Sequence, residues 1–419
     1  MDEEARFAFT PAPGEVARVT LRWGALSALT FGAGRFWFKT AQRRLIWRRT
    51  TLAGDPFEYD GSAYELLRGT ALAVFLLGLA LVAYNLILAL FGLAVWGTVS
   101  APATALLNLL ALLPLFEFAK WRARRYRLIR TKWRGLRFGM APGAAGFLRV
   151  WLIQAALMAL SFGLSRPWLR VARERYMTER MVWGDARFHF IGEARPLLHP
   201  WLRVWFAAAA AFGAIALIRT FALEVRTGGL TIDVASLLRP PLILLVLWLL
   251  LRIWLRYRAA ELRLFMEGRR IEGVRIHCRL APEALTAAAW RTIWRGALVG
   301  AIATLLILIA ASAALQAAIA VEGGDPADYA FSLNISLLGR FQTFWGQAIF
   351  ALAAWLNYGV SVLFLIWVFQ AQWLPRAHGA LMAATSATGL ESLAHVRQRQ
   401  EEDQIEADGF ADALDAGGL

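Results

Sequence analysis

Three pairs of long apolar stretches leave this chain few folds to choose from. The first runs from Leu66 to Phe118, broken only at Gly97-Thr98-Val99-Ser100-Ala101-Pro102. A helix rises about 1.5 Å per residue and a bilayer core is ~30 Å thick, so this run is expected to cross twice, over 66–96 and 102–119. The next pair is Trp201–Leu223 and Leu237–Leu255, joined through Arg226-Thr227-Gly228-Gly229. In its second member only Pro240–Leu251 is free of charge, so Arg239 and Arg252 must snorkel to opposite interfaces. The last pair is Ile293–Val321 and Phe344–Gln370, around the loop residues Glu322-Gly323-Gly324-Asp325-Pro326. The expected fold class is an all-α polytopic membrane protein with about six transmembrane helices.

Charge sets the expected sidedness. The chain has 45 Lys+Arg against 30 Asp+Glu, a net charge of +15, and its only lysines are Lys39, Lys120 and Lys132. With six crossings, only Arg219, Arg226, Arg239 and Arg340 fall outside; the positive-inside rule then puts the other basic residues and both termini in the cytoplasm. Two shorter apolar stretches, 21–32 and 150–164, are expected to lie at the membrane surface. Had 150–164 crossed, the arginine-rich segments after it would face the wrong side. The acidic start Asp2-Glu3-Glu4 gives no signal-peptide pattern. Composition agrees: 58% of residues are hydrophobic and 18% charged, against about 25% charged in soluble domains. The single cysteine, Cys278, excludes an internal disulfide framework and a cysteine-based metal cluster.

The chain also repeats itself. Shifted by 131 residues, 6–59 aligns with 137–190 without a gap: Arg6-Phe7 on Arg137-Phe138, Pro11 on Pro142, Arg18-Val19 on Arg149-Val150, Leu29-Thr30-Phe31-Gly32 on Leu160-Ser161-Phe162-Gly163, Arg35-x-Trp37 on Arg166-x-Trp168, Arg44 on Arg175 and Phe57 on Phe188. A smaller element occurs four times, at 43–59, 124–140, 173–190 and 263–278: a basic helix, then a glycine turn, then a short alternating stretch. The turns are Ala53-Gly54-Asp55, Arg134-Gly135, Gly184-Asp185 and Glu272-Gly273, which predict β-hairpins. Since one hairpin alone is marginal, the four are expected to pair into a small cytoplasmic sheet. The expected organisation is a first membrane repeat over 1–136, a second over 137–283, a helical hairpin over 284–375 and an acidic, disordered tail over 376–419.

Segments 29–59, 121–138 and 161–190, with the tail Gly409-Phe410-Ala411-Asp412-Ala413-Leu414-Asp415, resemble the YjgN-like bacterial inner-membrane family, domain of unknown function 898. The chain departs from the pattern where Gly184 stands four residues before Phe188 rather than three. It also has Leu45 where Tyr126 and Tyr176 keep the usual tyrosine. The resemblance implies an inner-membrane location and an unassigned activity, with no catalytic residues to carry over. It also implies a membrane zinc metallopeptidase as a partner, because family genes often neighbour one.

The arginine and tryptophan segments have two readings. They are an aromatic belt with positive-inside charge, or they recognise anionic lipid headgroups, where each basic side chain is worth about 1 kcal/mol and arginine holds phosphate bidentately. On the second reading the contacts are Arg35, Trp37, Arg44, Arg125, Arg166, Trp168 and Arg175. Nucleic acid is set aside because these residues adjoin membrane helices. Glu58, His189 and His277 share one hairpin position. They ligate a metal if the hairpins surround an axis, or are polar residues of a wetted strand. At depth the polar candidates are Asn85, Asn357 and Gln370, a type that more often joins helices than binds substrate. The ionisable Glu117 lies near the inner boundary, with Arg122 or Arg124 as its expected partner. Nucleotide, nucleophile-elbow and metalloprotease motifs are absent, so neither a cofactor nor an enzyme is expected. The leading expectation is a membrane scaffold or lipid-contacting adaptor; the alternative is a transporter or channel with a path between the two repeats. In the tail, Phe410 and Leu414 share a face if the segment is helical, which suggests a docking peptide for the protein's own basic face or for a partner.

Overall fold

The computed structural model describes residues 4–12, 14–30, 32–95, 101–220, 224–227, 230–322, 348, 359, 361 and 363–398. Its strands are β1 (Ala5–Phe9), β2 (Thr50–Leu52), β3 (Asp55–Tyr59), β4 (Thr131–Trp133), β5 (Leu136–Met140), β6 (Met181–Trp183), β7 (Ala186–Phe190), β8 (Glu224–Thr227), β9 (Leu230–Asp233), β10 (Arg269–Ile271), β11 (Val274–Cys278) and β12 (Thr385–Thr388). Its helices are α1 (Glu15–Leu29), α2 (Arg35–Arg49), α3 (Ala63–Val95), α4 (Ala101–Ile129), α5 (Ala144–Leu160), α6 (Arg166–Thr178), α7 (Arg195–Thr220), α8 (Val234–Glu267), α9 (Pro282–Glu322), a π-helical turn at Trp367–Trp373 and α10 (Leu374–Ala383).

The all-α expectation is wrong. Apart from the β8–β9 ribbon, the strands form a closed antiparallel barrel in the order β1-β12-β11-β10-β7-β6-β5-β4-β3-β2. The four hairpins lie side by side, and β1 and β12 pair with each other to close the ring. Closure leaves no exposed sheet edge, which lets strands of three to five residues persist. Residues 376–398, read from the sequence as the start of the tail, supply most of α10, all of β12 and a 3-10 turn at Leu390–Leu393.

One order of elements, strand-helix-helix-strand, recurs five times around the ring: β1-α1-α2-β2, β3-α3-α4-β4, β5-α5-α6-β6, β7-α7-α8-β10, and β11-α9 followed later by α10-β12. Segments 6–59 and 137–190 fall on the first and third of these units. Their helix–helix turns carry the same hydrogen bonds 131 positions apart. Gly32 N–H donates to the Ser27 carbonyl and Gly163 N–H to the Met158 carbonyl, both at 2.7 Å. Gly34 N–H donates to the Thr30 hydroxyl and Ser165 N–H to the Ser161 hydroxyl.

Two-residue turns join the hairpins. Ala53-Gly54, Arg134-Gly135 and Glu272-Gly273 have both residues at positive φ, the type I′ pattern whose twist suits a hairpin. At Gly184-Asp185 only the first residue has positive φ, as in type II′. The displaced glycine is therefore a change of turn type at constant turn length.

Strand alternation fills the barrel in layers. Five cross-strand pairs make one ring: Phe7 opposite Leu52, Phe57 opposite Trp133, Phe138 opposite Trp183, Phe188 opposite Ile271, and Ile276 opposite Ala387. The Trp133 and Trp183 ring centroids are 5.1 Å apart, and Phe57, Phe138 and Phe188 continue the aromatic series. Leu390, Leu393 and Val396 pack against this core from the turn end.

The chain forms two compact units, Met1–Thr10 with Arg43–Thr286 and His378–Leu419, and Pro11–Gln42 with Ala287–Ala377. The barrel belongs to the first. In that unit α3 to α8 leave and re-enter the barrel at the end opposite the turns. The α5–α6 hairpin is short. Its tip, with Leu160 79% and Phe162 84% exposed, is held to α7 by the Trp201 and Trp205 indoles, which donate to the Gly163 and Phe162 carbonyls at 2.9 Å. From Trp205, α7 continues to Thr220, a further ~22 Å at the helical rise. In the second unit small residues permit close helix packing: Gly24 lies against Ile366 and Leu363, and Gly296 and Gly300 against Val368 and Phe364.

Among the described residues five helices are long and apolar enough to cross a membrane: Ala63–Leu90, Ala103–Ile129, Arg195–Thr220, Leu238–Glu267 and Pro282–Ala310. The expected sixth crossing, 344–370, lies mostly outside the described residues.

Candidate functional site

The basic helices α2, α4, α6 and α8 each run into the first strand of a hairpin, and each spends one arginine on that junction. Arg44 donates to the Gly61 carbonyl and Arg175 to the Gly192 carbonyl, both at 3.0 Å. Arg125 donates to the Met140 carbonyl at 3.2 Å, and Arg263 donates to the Leu280 carbonyl. Each acceptor lies at or just beyond the end of the hairpin's second strand, where a backbone carbonyl leaves the ladder without a partner. The recurring arginine is thus a clamp between helix and strand exit. The family tyrosine has a related task. Tyr176 donates to the Gly143 carbonyl before α5, and Tyr126 to Glu65 in the first turns of α3.

Inside the collar are carboxylates that the arginine-rich sequence conceals. Glu174 of α6 accepts from Arg124 of α4 at 2.7 and 2.9 Å and from Arg269 of β10 at 2.6 and 3.1 Å. Burial opposes its ionisation, but the two guanidiniums outweigh that and hold its pKa well below the usual carboxylate range. Arg269 is placed for this by the strand period: it points inward in the layer where β2, β4 and β12 carry Thr50, Thr131 and Thr385. Glu261 of α8, fully buried, pairs with Arg170 of α6 and Arg258. Glu117 pairs with Lys120 at 2.8 Å and Arg173 at 3.1 Å, while Arg124, one of its expected partners, is taken by Glu174. Pattern reading missed Glu174 and Glu261. The available signal was a lone acid inside each basic run, Arg173-Glu174-Arg175 and Glu261 between Arg258 and Arg263.

The other sequence candidates are dispersed. Arg35 and Trp37 are half-buried in the second unit, Arg35 lying 5.0 Å from the Phe36 ring centroid. Arg166 lies over the Trp201 ring at 4.5 Å, and Trp168 is exposed. Asn85 accepts from Asn108 across α3 and α4 at 3.0 Å. Gln370, within the π-helical turn, accepts from Gln42 at 2.9 Å. Asn357, Phe410 and Leu414 lie outside the described residues. Glu58, His189 and His277 do not converge: they face outward on β3, β7 and β11, all exposed. Among the described residues no group of three or more His, Cys, Asp or Glu is placed to hold a metal.

His378 of α10 is buried in the first unit, edge-on to Phe9 and 3.0 Å from the Thr50 hydroxyl. That hydroxyl already donates to Ile46 at 2.7 Å, so His378 must donate to it through Nε2. Burial lowers its pKa to about 4 and keeps the ring neutral.

The wall of the barrel is uneven in charge. On β4 and β5, Lys132 stands opposite Arg137, and Asp60 neutralises both at 3.2 and 3.0 Å. On β10 and β11 the corresponding pair, Arg270 opposite Arg275, is exposed. Where β3 is followed by Asp60, β11 is followed by Arg279.

A closed barrel of short strands, carrying membrane-length helices at one end, defines an architectural class rather than a reaction. Within it, the chain belongs to the family described as bacterial protein of unknown function (DUF898), whose model matches residues 4–294. No curated protein and no solved structure matches the chain.

Proposed function

We propose that this is a bacterial inner-membrane scaffold that grips anionic lipid headgroups around the base of its barrel. The supporting observation is where charge stops on the helices of the first unit. Counting from the barrel at the helical rise, exposed Arg68 lies ~8 Å along α3, exposed Arg203 ~12 Å along α7, and exposed Arg256 and Arg252 ~17 and ~23 Å back along α8. Beyond that level the exposed side chains are apolar: Leu72 to Leu90 on α3, Leu106 to Phe116 on α4, Phe206 to Leu217 on α7 and Leu242 to Leu249 on α8. Arginine ending where apolar exposure begins is the pattern of a cytoplasmic interface. The tip of α5–α6, tied at the level of Trp201 and Trp205, then dips into one leaflet and turns back.

Arg44 and Arg175 each use a donor on a carbonyl and keep others for phosphate, since a guanidinium has five. The transport reading draws less support. Asn85 and Gln370 are engaged with Asn108 and Gln42, and packed aromatic side chains occupy the barrel interior. A metallopeptidase partner rests on the family resemblance alone.

The test is native mass spectrometry of the protein extracted in membrane patches. Anionic phospholipid should be enriched over the bulk membrane, and the enrichment should fall in Arg203→Gln/Arg256→Gln. A lipid shell identical to the bulk in both proteins sinks the proposal.

A further inference from the structure

We infer that the acidic segment 399–419 of this chain docks on the outer wall of its own barrel, across β7, β10 and β11. The inference stands apart from the lipid reading and needs no lipid.

The wall presents Arg187 and His189 on β7, Arg270 on β10, and Arg275 and His277 on β11, all exposed. Register makes Arg270 the directly opposed neighbour of both His189 and Arg275. Like charges directly opposed across a ladder are destabilising. The Lys132–Arg137 pair escapes this through Asp60. No carboxylate among the described residues forms an ion pair with Arg187, Arg270 or Arg275. At the far edge of this wall Glu4 faces Arg279, Arg6 and His277. The wall therefore has a vacancy for anionic charge that the opposite wall fills from within.

The chain supplies that charge where it is needed. Arg397 and Asp185 exchange two backbone-directed hydrogen bonds at 3.0 Å, and Gln398 accepts from Arg137 N–H at 2.9 Å. These contacts hold Arg397 at the β6–β7 turn, two residues from Arg187, and Gln398 on neighbouring β5, from which the segment turns back across β7 to reach β10 and β11. Directly after them come Glu401, Glu402, Asp403, Glu406, Asp408, Asp412 and Asp415, with Arg399 as the single basic residue. Strands in a sheet are about 4.8 Å apart, so the four spacings from β5, where Gln398 is held, to β11 span ~19 Å. The twelve residues from Gln398 to Phe410 reach ~40 Å when extended. Length is thus no obstacle, and carboxylates separated by one or two residues suit a row of arginines on adjacent strands. Phe410 and Leu414 add apolar contact to an electrostatic hold.

The experiment uses the full chain in nanodiscs of neutral lipid, with p-benzoylphenylalanine in place of Phe410, mixed with an equal amount of isotope-labelled chain. After irradiation, mass spectrometry should find crosslinks within one chain to peptides carrying β7, β10 or β11. Yield should fall by roughly tenfold in Arg187→Gln/Arg270→Gln/Arg275→Gln, the combined effect of a few exposed ion pairs, and also on raising salt to ~0.5 M. A second variant, Glu401→Gln/Glu402→Gln/Asp403→Asn/Glu406→Gln, leaves the barrel untouched and should lose the crosslink to the same extent. Crosslinks to lipid, to the labelled copy or to other parts of the chain would overturn the inference. So would absence of any crosslink, or a yield that neither variant changes.

Discussion

Arg269 and Arg270 are neighbours in sequence and opposites in circumstance. Arg269 points into the barrel and meets Glu174, which Arg124 also holds; Arg270 points out and faces Arg275 across the ladder. The strand period alone separates them. The inner site is desolvated, so its charges are fixed by one another and carry stability. The outer site is wet, so its charges contribute little to the fold and are available to something else.

The strongest way to break this contrast is to remove the inner acid. Glu174→Gln leaves two buried guanidiniums without a counter-charge and should cost ~3–5 kcal/mol, read as the largest drop in unfolding midpoint by tryptophan fluorescence in detergent. If it unfolds like the parent, the inner cluster is not structural.

Next in size is the acid response of His378. Its pKa is about 4 in the fold against 6.5 when free. As pH falls the unfolded chain takes the proton first, so the stability present above ~6.5 is lost progressively down to ~4, by up to ~3 kcal/mol. Glu174 also has a depressed pKa, and its contribution is lost only below the ordinary carboxylate range, about 4.3. Unfolding measured from pH 7 to 5 should therefore flatten in His378→Gln, while Glu174→Gln leaves that slope in place. Equal slopes in His378→Gln and the parent would refute the assignment.

The junction clamps come third. Arg175→Gln or Arg263→Gln frees one strand-exit carbonyl and should cost ~1–3 kcal/mol. The smallest effect belongs to the wall: Arg270→Gln should shift stability by no more than ~0.5 kcal/mol and in the stabilising direction if the Arg275 repulsion is unrelieved. A large loss there would place Arg270 with the inner set.

Much of the barrel was readable in pieces. The glycines at 54, 135, 184 and 273 announced four hairpins, and the shift of 131 residues placed Phe57 and Phe188, which share one layer of the core. Closure was not readable. β1 and β12 bring Ala5 opposite Ala387, and Thr385-Ser386-Ala387-Thr388 has neither an apolar run nor a turn of its own to mark it as a strand. The membrane-length helices were legible from apolar length, which survives any error about what they connect. The recurring arginines were legible as a pattern but not in their task. A basic residue that secures a carbonyl, one that neutralises Glu174 and one that faces water have the same letter, and only the alternation of a closed sheet sorts them.

Pairing the first strand with the last has a consequence for biogenesis. During synthesis the helices are made in order, but the ring stays an open ribbon until β12 has left the ribosome, with β1 and the newest strand each unpaired along one edge. A nascent chain stalled before that point exposes two sheet edges, each a template for pairing with another chain.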